Sequence, residues 1–306
     1  MNPKLLLVPL LLACQPLGDL HAAPAVEMQV KWPAGKRLVR HQETTQEVVF
    51  SGDALPAPVK QESTQVRDYT LTARSGQELE LEIQALKIAS TSQGKTMTFD
   101  SRAQPKVTGE DPLNPLLRRV VGARVRGVTE ADGRLAQLPD YAAWIAKIVA
   151  GAGLRETVSL TNLFSEESLK QLGAVPTGLP GKPVQVGDHW TGERELHLAQ
   201  GLTLRTKTRY TFTGWAERDG RKCAVWEDTG VITANPPAPG AANTIKVEAG
   251  KVSGKTWFDP GLGVVAESNT LQEMTLVSSG ADGTLTTQFK TKTVNRLVEI
   301  STAAKP

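Results

Sequence analysis

Four histidines, two cysteines and a scatter of carboxylates are the residues of this 306-residue chain that could do chemistry. His189 and His197 share strand parity, yet an extended chain separates them by roughly 25 Å, too far to ligate one metal ion. His41 falls among Arg40, Gln42 and Glu43 in an extended stretch, and His21 lies close to the N-terminus; hydrogen-bonding or surface roles account for all four. Asp100, Asp188 and Asp259 could supply the paired carboxyl groups that hydrolysis of a glycosidic bond requires. Each, however, sits in a turn sequence, where Asp binds its local backbone. Arg118, Arg119, Arg124 and Arg126 form the densest basic group. They could meet an anionic lipid or polysaccharide, but charges alternating along a strand ordinarily mark a solvated face.

None of the metalloprotease, dithiol, nucleophile-elbow or phosphate-loop motifs occurs in a fitting context. "GKT" at Gly254 to Thr256 lacks the upstream glycine spacing, and a turn within or between strands explains it. "AGAG" at 150 to 153 follows a helical pattern, not a strand, which removes a dinucleotide fingerprint. Cys223, in the alternating "GRKCAVWE", reads as a small buried hydrophobe. The expectation is therefore a protein that is not an enzyme, with no catalytic residue, no metal ligand and no cofactor.

Composition excludes further classes. With 40% hydrophobic and 22% charged residues and a net charge of +3, the chain reads neither as disordered nor as a general nucleic-acid binder. Its 6 Trp, 3 Tyr and 6 Phe are scattered, unlike a base-stacking platform. After residue 13 no run approaches the roughly 18 apolar residues of a spanning helix.

The N-terminus carries an instruction of its own. Residues 1–22 combine a short basic start with an apolar run, the grammar of an export signal. "LLAC" resembles the lipobox of bacterial lipoproteins, with Cys14 as the lipidation site and Gln15 implying sorting to the outer membrane, facing the periplasm. The alternative is cleavage after Ala22, which releases a periplasmic or secreted protein. The membrane is met only under the first scheme, through the N-terminal lipid anchor.

The remainder predicts a mainly β (α+β) protein: an N-terminal β section over 28–137, a helical connector over 138–182 and a six-stranded antiparallel section over 183–300. The first section begins extended over 28–50, and "DALPAPVKQES" at 53–63 reads as a loop because Pro56 and Pro58 bar pairing. Strands follow over 64–74, 78–90 and 94–100, and Asp132-Gly133 is the strongest hairpin signal. Pro112 and Pro115 suit a first helical turn. Two further helices start at Asp140 and Ser165 as caps and stop at Gly151 and Gly173. From His189 onward six segments, 189–198, 202–216, 221–233, 243–258, 263–277 and 284–299, alternate between turn sequences. Both sections are antiparallel meanders able to curve into half-barrels, separated by the short helices.

Strand parity then sorts the faces. Leu202, Leu204, Thr206, Thr208, Tyr210 and Phe212 fall on one side and Arg205, Lys207 and Arg209 on the other. In the last segment Leu285, Thr287, Phe289, Thr291 and Thr293 oppose Lys290 and Lys292. Threonines among the apolar positions make a face less greasy than a tight core and suit a partly solvated concavity. Trp144, Ile148, Leu204, Tyr210, Phe212 and Phe289 are the candidate ligand-facing residues, with the 140–150 helix partly closing the concavity.

"MTFDSRAQP", "NPLLRRVVGARVRGVTEADGRLAQL", "VGDHW", "RYTFTGW" and "KTWFDPGLGVV" together resemble an uncharacterised family of bacterial secreted β-rich proteins and lipoproteins. The matching positions are Phe99, Asp100 and Ser101; Gly122, Asp132 and Gly133; Gly187, Asp188 and Trp190; and Gly214, Phe258, Asp259 and Gly263. The resemblance implies an envelope protein and carries over no catalytic residue. A looser similarity of strand rhythm is to half-barrels of the lipoprotein-carrier type. The function expected is a non-enzymatic envelope protein binding a hydrophobic ligand or lipidated partner in a curved sheet. The alternatives are a structural or protein-interaction module without a small-molecule ligand and, last, a hydrolase.

Overall fold

A computed structural model describes residues 25–74, 77–105, 111–173, 179–197, 203–235, 244–280 and 283–303. Residues 1–24, including Cys14 and His21, lie outside them, as does Leu202. The period-2 stretches form strands Lys36–Gly52 (β1), Val59–Ala73 (β2), Glu78–Ser92 (β3), Lys95–Asp100 (β4), Arg124–Thr129 (β5) and Leu135–Gln137 (β6). After the helices come His189–His197 (β7), Thr203–Arg218 (β8), Arg221–Ala234 (β9), Thr244–Asp259 (β10), Val264–Gly280 (β11) and Gly283–Thr302 (β12). The helices are Asn114–Val120 (α1), Tyr141–Val149 (α2), Leu154–Leu163 (α3) and Glu166–Leu172 (α4).

The protein is mainly β, and all of its strands join one antiparallel sheet in the order β6-β5-β3-β2-β1-β12-β11-β10-β9-β8-β7, with β4 paired to the other end of β3. β1 runs beside β12 from Lys36↔Thr302 to Gly52↔Leu285, so the two β sections are halves of one sheet. β6 and β7 are its edges, and the sheet does not close.

Local signals held where short-range chemistry decides. Asp132 Oδ1 accepts from Arg134 N at 3.0 Å in the β5–β6 turn, and Ser165 Oγ accepts from Ser168 N at 3.2 Å to cap α4. Four expectations need correction. β2 starts at Val59, immediately after Pro58, so the second half of the anticipated 53–63 loop is strand. Asp140 makes no side-chain cap on α2 because its carboxylate turns to Arg126, Nε to Oδ2 3.3 Å. Gly254 lies inside β10, not in a turn. α3 was not anticipated, since Leu154 and Val158, one turn apart, are 83% and 50% exposed and leave no amphipathic stripe to detect.

The larger core lies between the β1–β3–β5 end of the sheet and the helices. Leu71, Leu79, Ile83, Leu117, Leu160 and Phe164 are each nearly inaccessible there, worth about 1.5–3 kcal/mol apiece for a fully buried large side chain. A second cluster, Tyr210, Phe212, Trp226 and Phe258, is covered by the extended N-terminal segment. That segment buries Val26, Met28 and Val30 in alternation and bonds Val184 reciprocally, N to O 2.8 and 2.9 Å. Among the described residues no helix is long and apolar enough to cross a membrane.

Candidate functional site: the concave face of the sheet

Register places the inward residues in rows that cross the strands. One row runs Thr44, Thr293, Thr270, Gly254, Asp228 and Tyr210 from β1 to β8. A second runs Gln46, Thr291, Gln272, Val252, Gly230 and Thr208. Flat, the eight strands from β2 to β7 would span roughly 35 Å. Instead Gln65 and Arg67 on β2 and Arg194 on β7 line a single cavity of about 760 Å³, so the sheet curls around it. α4 and the β5–β6 turn form the remaining wall through Glu167, Lys170 and Arg134.

Two glycines permit the curl. A Cβ on Gly254 would sit 2.8 Å from both carboxylate oxygens of Asp228, and one on Gly230 would sit 2.6 Å from the Lys207 carbonyl. Both distances are well inside van der Waals contact, so the strands approach only because these side chains are absent.

The face has three zones. Its floor is the aromatic cluster, where Trp190 stacks on Tyr210 at 5.6 Å between centroids and meets Trp226 edge-on at 6.0 Å. The middle is a belt of hydroxyls, amides and charge. In it Thr44 and Thr293 hydroxyls lie 3.3 Å apart, Gln46 Nε2 donates to Thr291 Oγ1 at 3.4 Å, and Asn295 Nδ2 donates to the Tyr69 hydroxyl at 2.9 Å. Beyond the belt a third apolar cluster forms, with Leu204, Ile232 and Met274 buried and Leu196, Leu276 and Phe289 packed against them.

Charge in the belt is unevenly matched. Arg40 is 6% exposed; its Nε donates to Asn295 Oδ1 at 3.1 Å and its Nη2 to the Val265 carbonyl at 3.0 Å. Arg67, also 6% exposed, donates from Nη2 to Gln65 Oε1 at 2.8 Å and to the Leu163 carbonyl at 3.5 Å, and its guanidinium lies 5.4 Å from the Phe164 ring centre. No carboxylate is within ion-pair distance of either among the described residues, and burial pushes the Arg67 guanidinium down to about 10. Burial likewise lowers Arg194, against the opposing pull of Glu167 and Tyr210. Across the cavity, burial pushes the Asp228 carboxyl up to about 6.

The outward face is different in kind. Lys251, Glu273 and Lys290 form a ladder over three strands, with Nζ to carboxylate distances of 2.8 and 3.4 Å, and Lys255 pairs with Glu227 at 2.9 Å. Such exposed, solvent-screened pairs add little stability and mainly mark the solvated side.

The sequence candidates divide accordingly. Tyr210 lines the cavity, Leu204 and Phe289 lie in the outer apolar cluster, and Phe212 is in the floor. Trp144 and Ile148 are elsewhere, in the helical core, where Trp144 meets Tyr141 at 6.2 Å and Phe164 at 6.5 Å. α4, and not the 140–150 helix, borders the concavity, because α2 packs on α1, α3 and β5.

The turn aspartates bind local amides: Asp100 Oδ1 accepts from Arg102 N, Asp188 Oδ2 from Gln185 N and Asp259 Oδ1 from Leu262 N, at 2.9, 2.8 and 3.0 Å. The basic group is engaged within the fold. Arg119 donates to the Ile148 and Ala150 carbonyls at the end of α2, Arg124 pairs with Glu82, and Arg118 lies over Phe99. His41 Nδ1 lies 2.6 Å from Asp68 Oδ1. Cys223 is buried, which pushes its thiol up. Among the described residues no group of three His, Cys, Asp or Glu could hold a metal ion. Sequence reasoning missed Arg40, Arg67 and Asp228. Each shared a strand face with visible apolar or hydroxyl residues, but burial of a charge is a property of the curl.

No curated protein matches the chain. Among solved structures, a lipovitellin studied for its lipid–protein interactions is 14% identical over 90% of this chain, with a TM-score of 0.42; the match spans only 26% of that protein. Pseudomonas aeruginosa OccD3 (OpdP) is 8% identical, with 91% of this chain and 96% of that one covered and a TM-score of 0.23. A loop L8 deletion mutant of OmpT, an outer membrane protein of Vibrio cholerae, is 6% identical over 85% and 99%, with a TM-score of 0.18. Likenesses this distant establish no function. Residues 75–257, more than half of the chain, match a family of unknown function, and the chain belongs to that family, DUF6263.

Proposed function

We propose that the protein is a non-enzymatic binding protein that holds an amphipathic ligand in the curl of its sheet. The observation that carries this is the zoning of the concave face, where a cavity of about 760 Å³ lined by the hydroxyl and amide belt meets, at Ile232, the apolar cluster of Leu204, Met274 and Phe289. A wholly hydrophobic ligand would strip the belt's hydroxyls, amides and guanidiniums of water without returning hydrogen bonds, which is costly. A wholly polar one would gain nothing from Leu204, Met274 and Phe289. A molecule with an acyl tail and a polar head satisfies both zones, and a lipidated protein segment presents the same chemistry. Pockets of this size commonly hold ligands by apolar contact plus a few oriented polar groups.

The leader supports a setting for this activity: export, with Cys14 as a lipid attachment point that holds the binding domain at the envelope. Mass spectrometry of an organic extract from the purified protein, with titration of a fluorescent fatty acid, tests the binding proposal. A bound amphiphile or saturable uptake is expected; an empty extract together with no uptake refutes it. Substituting Cys14→Ala tests the anchor: the variant should leave the membrane fraction, and unchanged fractionation would favour cleavage after Ala22.

A further inference from the structure

Resting on that reading, we infer that the head group of the ligand is anionic, a carboxylate or a phosphate monoester, and that Arg67 and Arg40 receive it. The two arginines share the concave face of neighbouring strands. Gln42 is opposite Arg67 and Tyr69 opposite Arg40, which sets Arg40 and Arg67 on a diagonal, about 7–8 Å apart. Both are buried, both line the cavity, and both spend their bonds on neutral oxygens.

Two donors at this point have no partner: Arg67 Nε and the adjoining Gln65 Nε2 are buried and make no hydrogen bond. A buried cation without a counter-charge is expensive for a fold to keep, and an apolar residue of similar volume would ordinarily stabilise the position. An anion offered from the cavity changes that balance. It accepts the remaining guanidinium donors in the forked geometry that Arg presents to carboxylate and phosphate.

The surroundings fix which way the ligand lies. Val48 and Phe289, paired across β1 and β12, stand six residues along from Gln42, or roughly 20 Å. A long acyl chain extending from the arginines reaches the outer apolar cluster over that distance. Asp228 faces the same cavity from β9, and Glu130, Glu167, Glu193 and Glu195 also line it, but among the described residues none of these carboxylates is within ion-pair distance of Arg40 or Arg67.

The test uses the mature chain and four sixteen-carbon probes that differ only in the head: hexadecanoate, hexadecyl phosphate, 1-hexadecanol and hexadecyltrimethylammonium. Affinities are read by calorimetry at pH 7.5. One or both anions should bind at least about tenfold tighter than the alcohol, and whichever is tighter identifies the head. Arg67→Met should bring the anions to within about threefold of the alcohol while leaving the alcohol unchanged, with Arg40→Met acting in the same direction. Arg67→Lys keeps the charge without the fork and should retain a reduced preference, which covers the case in which the methionine variant does not fold. Equal binding of anions and alcohol, or tighter binding of the ammonium, overturns the inference and leaves the amphiphile reading intact. Failure of all four probes overturns that reading itself.

Discussion

Asp228 shows how a single residue records the curl of the sheet. Its carboxyl titrates near 6 because burial penalises the charged form. A raised acid pKa means that the folded state holds its proton more tightly than the unfolded state. The group therefore costs nothing below about pH 4, destabilises progressively as pH rises through about 6, and imposes a constant penalty above. The Asp228→Asn variant should accordingly melt several degrees above the parent at pH 7.5 and within a degree of it at pH 4, measured by circular dichroism. A difference that grows on acidification would contradict this account. The same reasoning explains why neither Asp228 nor Arg67 stood out in the sequence. Asp in "WEDTG" and Arg in "QVRDY" look like solvated strand charges until their faces turn inward.

At the level of elements, the curl depends on strands that lack side chains at their closest approach. Gly254→Val would drive a Cβ against the Asp228 carboxylate and the Asn269 carbonyl, 2.8 and 2.9 Å away. A loss of about 1–3 kcal/mol or more is expected from overpacking at such a position, read as a lowered urea midpoint. Gly35→Ala meets no atom within 4 Å of its new Cβ and serves as a comparison in which only backbone strain at φ +71° enters. At α4, Ser165→Ala removes the side-chain acceptor for Ser168 N and should cost about 0.5–2 kcal/mol. Elements whose signals are local, the Ser165 cap and the Asp132-Gly133 hairpin, were legible in the sequence. α3 was not, because its stability comes from Leu160 and Leu163 packing at its C-terminal end in the shared core while Leu154 and Val158 stay exposed.

The whole molecule is joined at β1 and β12. Leu38 and Leu297, on these paired strands, are each 1% exposed and belong to the larger core, so the two halves have no independent boundary at that seam. Leu38→Ala should cost about 2–5 kcal/mol. It should also shift the fluorescence transition of Trp226, which lies in the other half of the chain. Calorimetry of the parent protein should give one transition with matching calorimetric and van't Hoff enthalpies. Two resolved transitions would show that the halves unfold separately.

By itself, the sequence determined the mainly β class, most strand positions and which residues of β8 and β12 share a face. All of these follow from side-chain type and from a period-2 alternation set within a few residues. Tertiary structure alone decided that the two sections form one sheet, that this sheet curls into a concavity and that arginines without counter-charges line it. Those properties arise from pairing across more than two hundred residues, as with Arg40 and Asn295, and from burial, which no local spacing encodes.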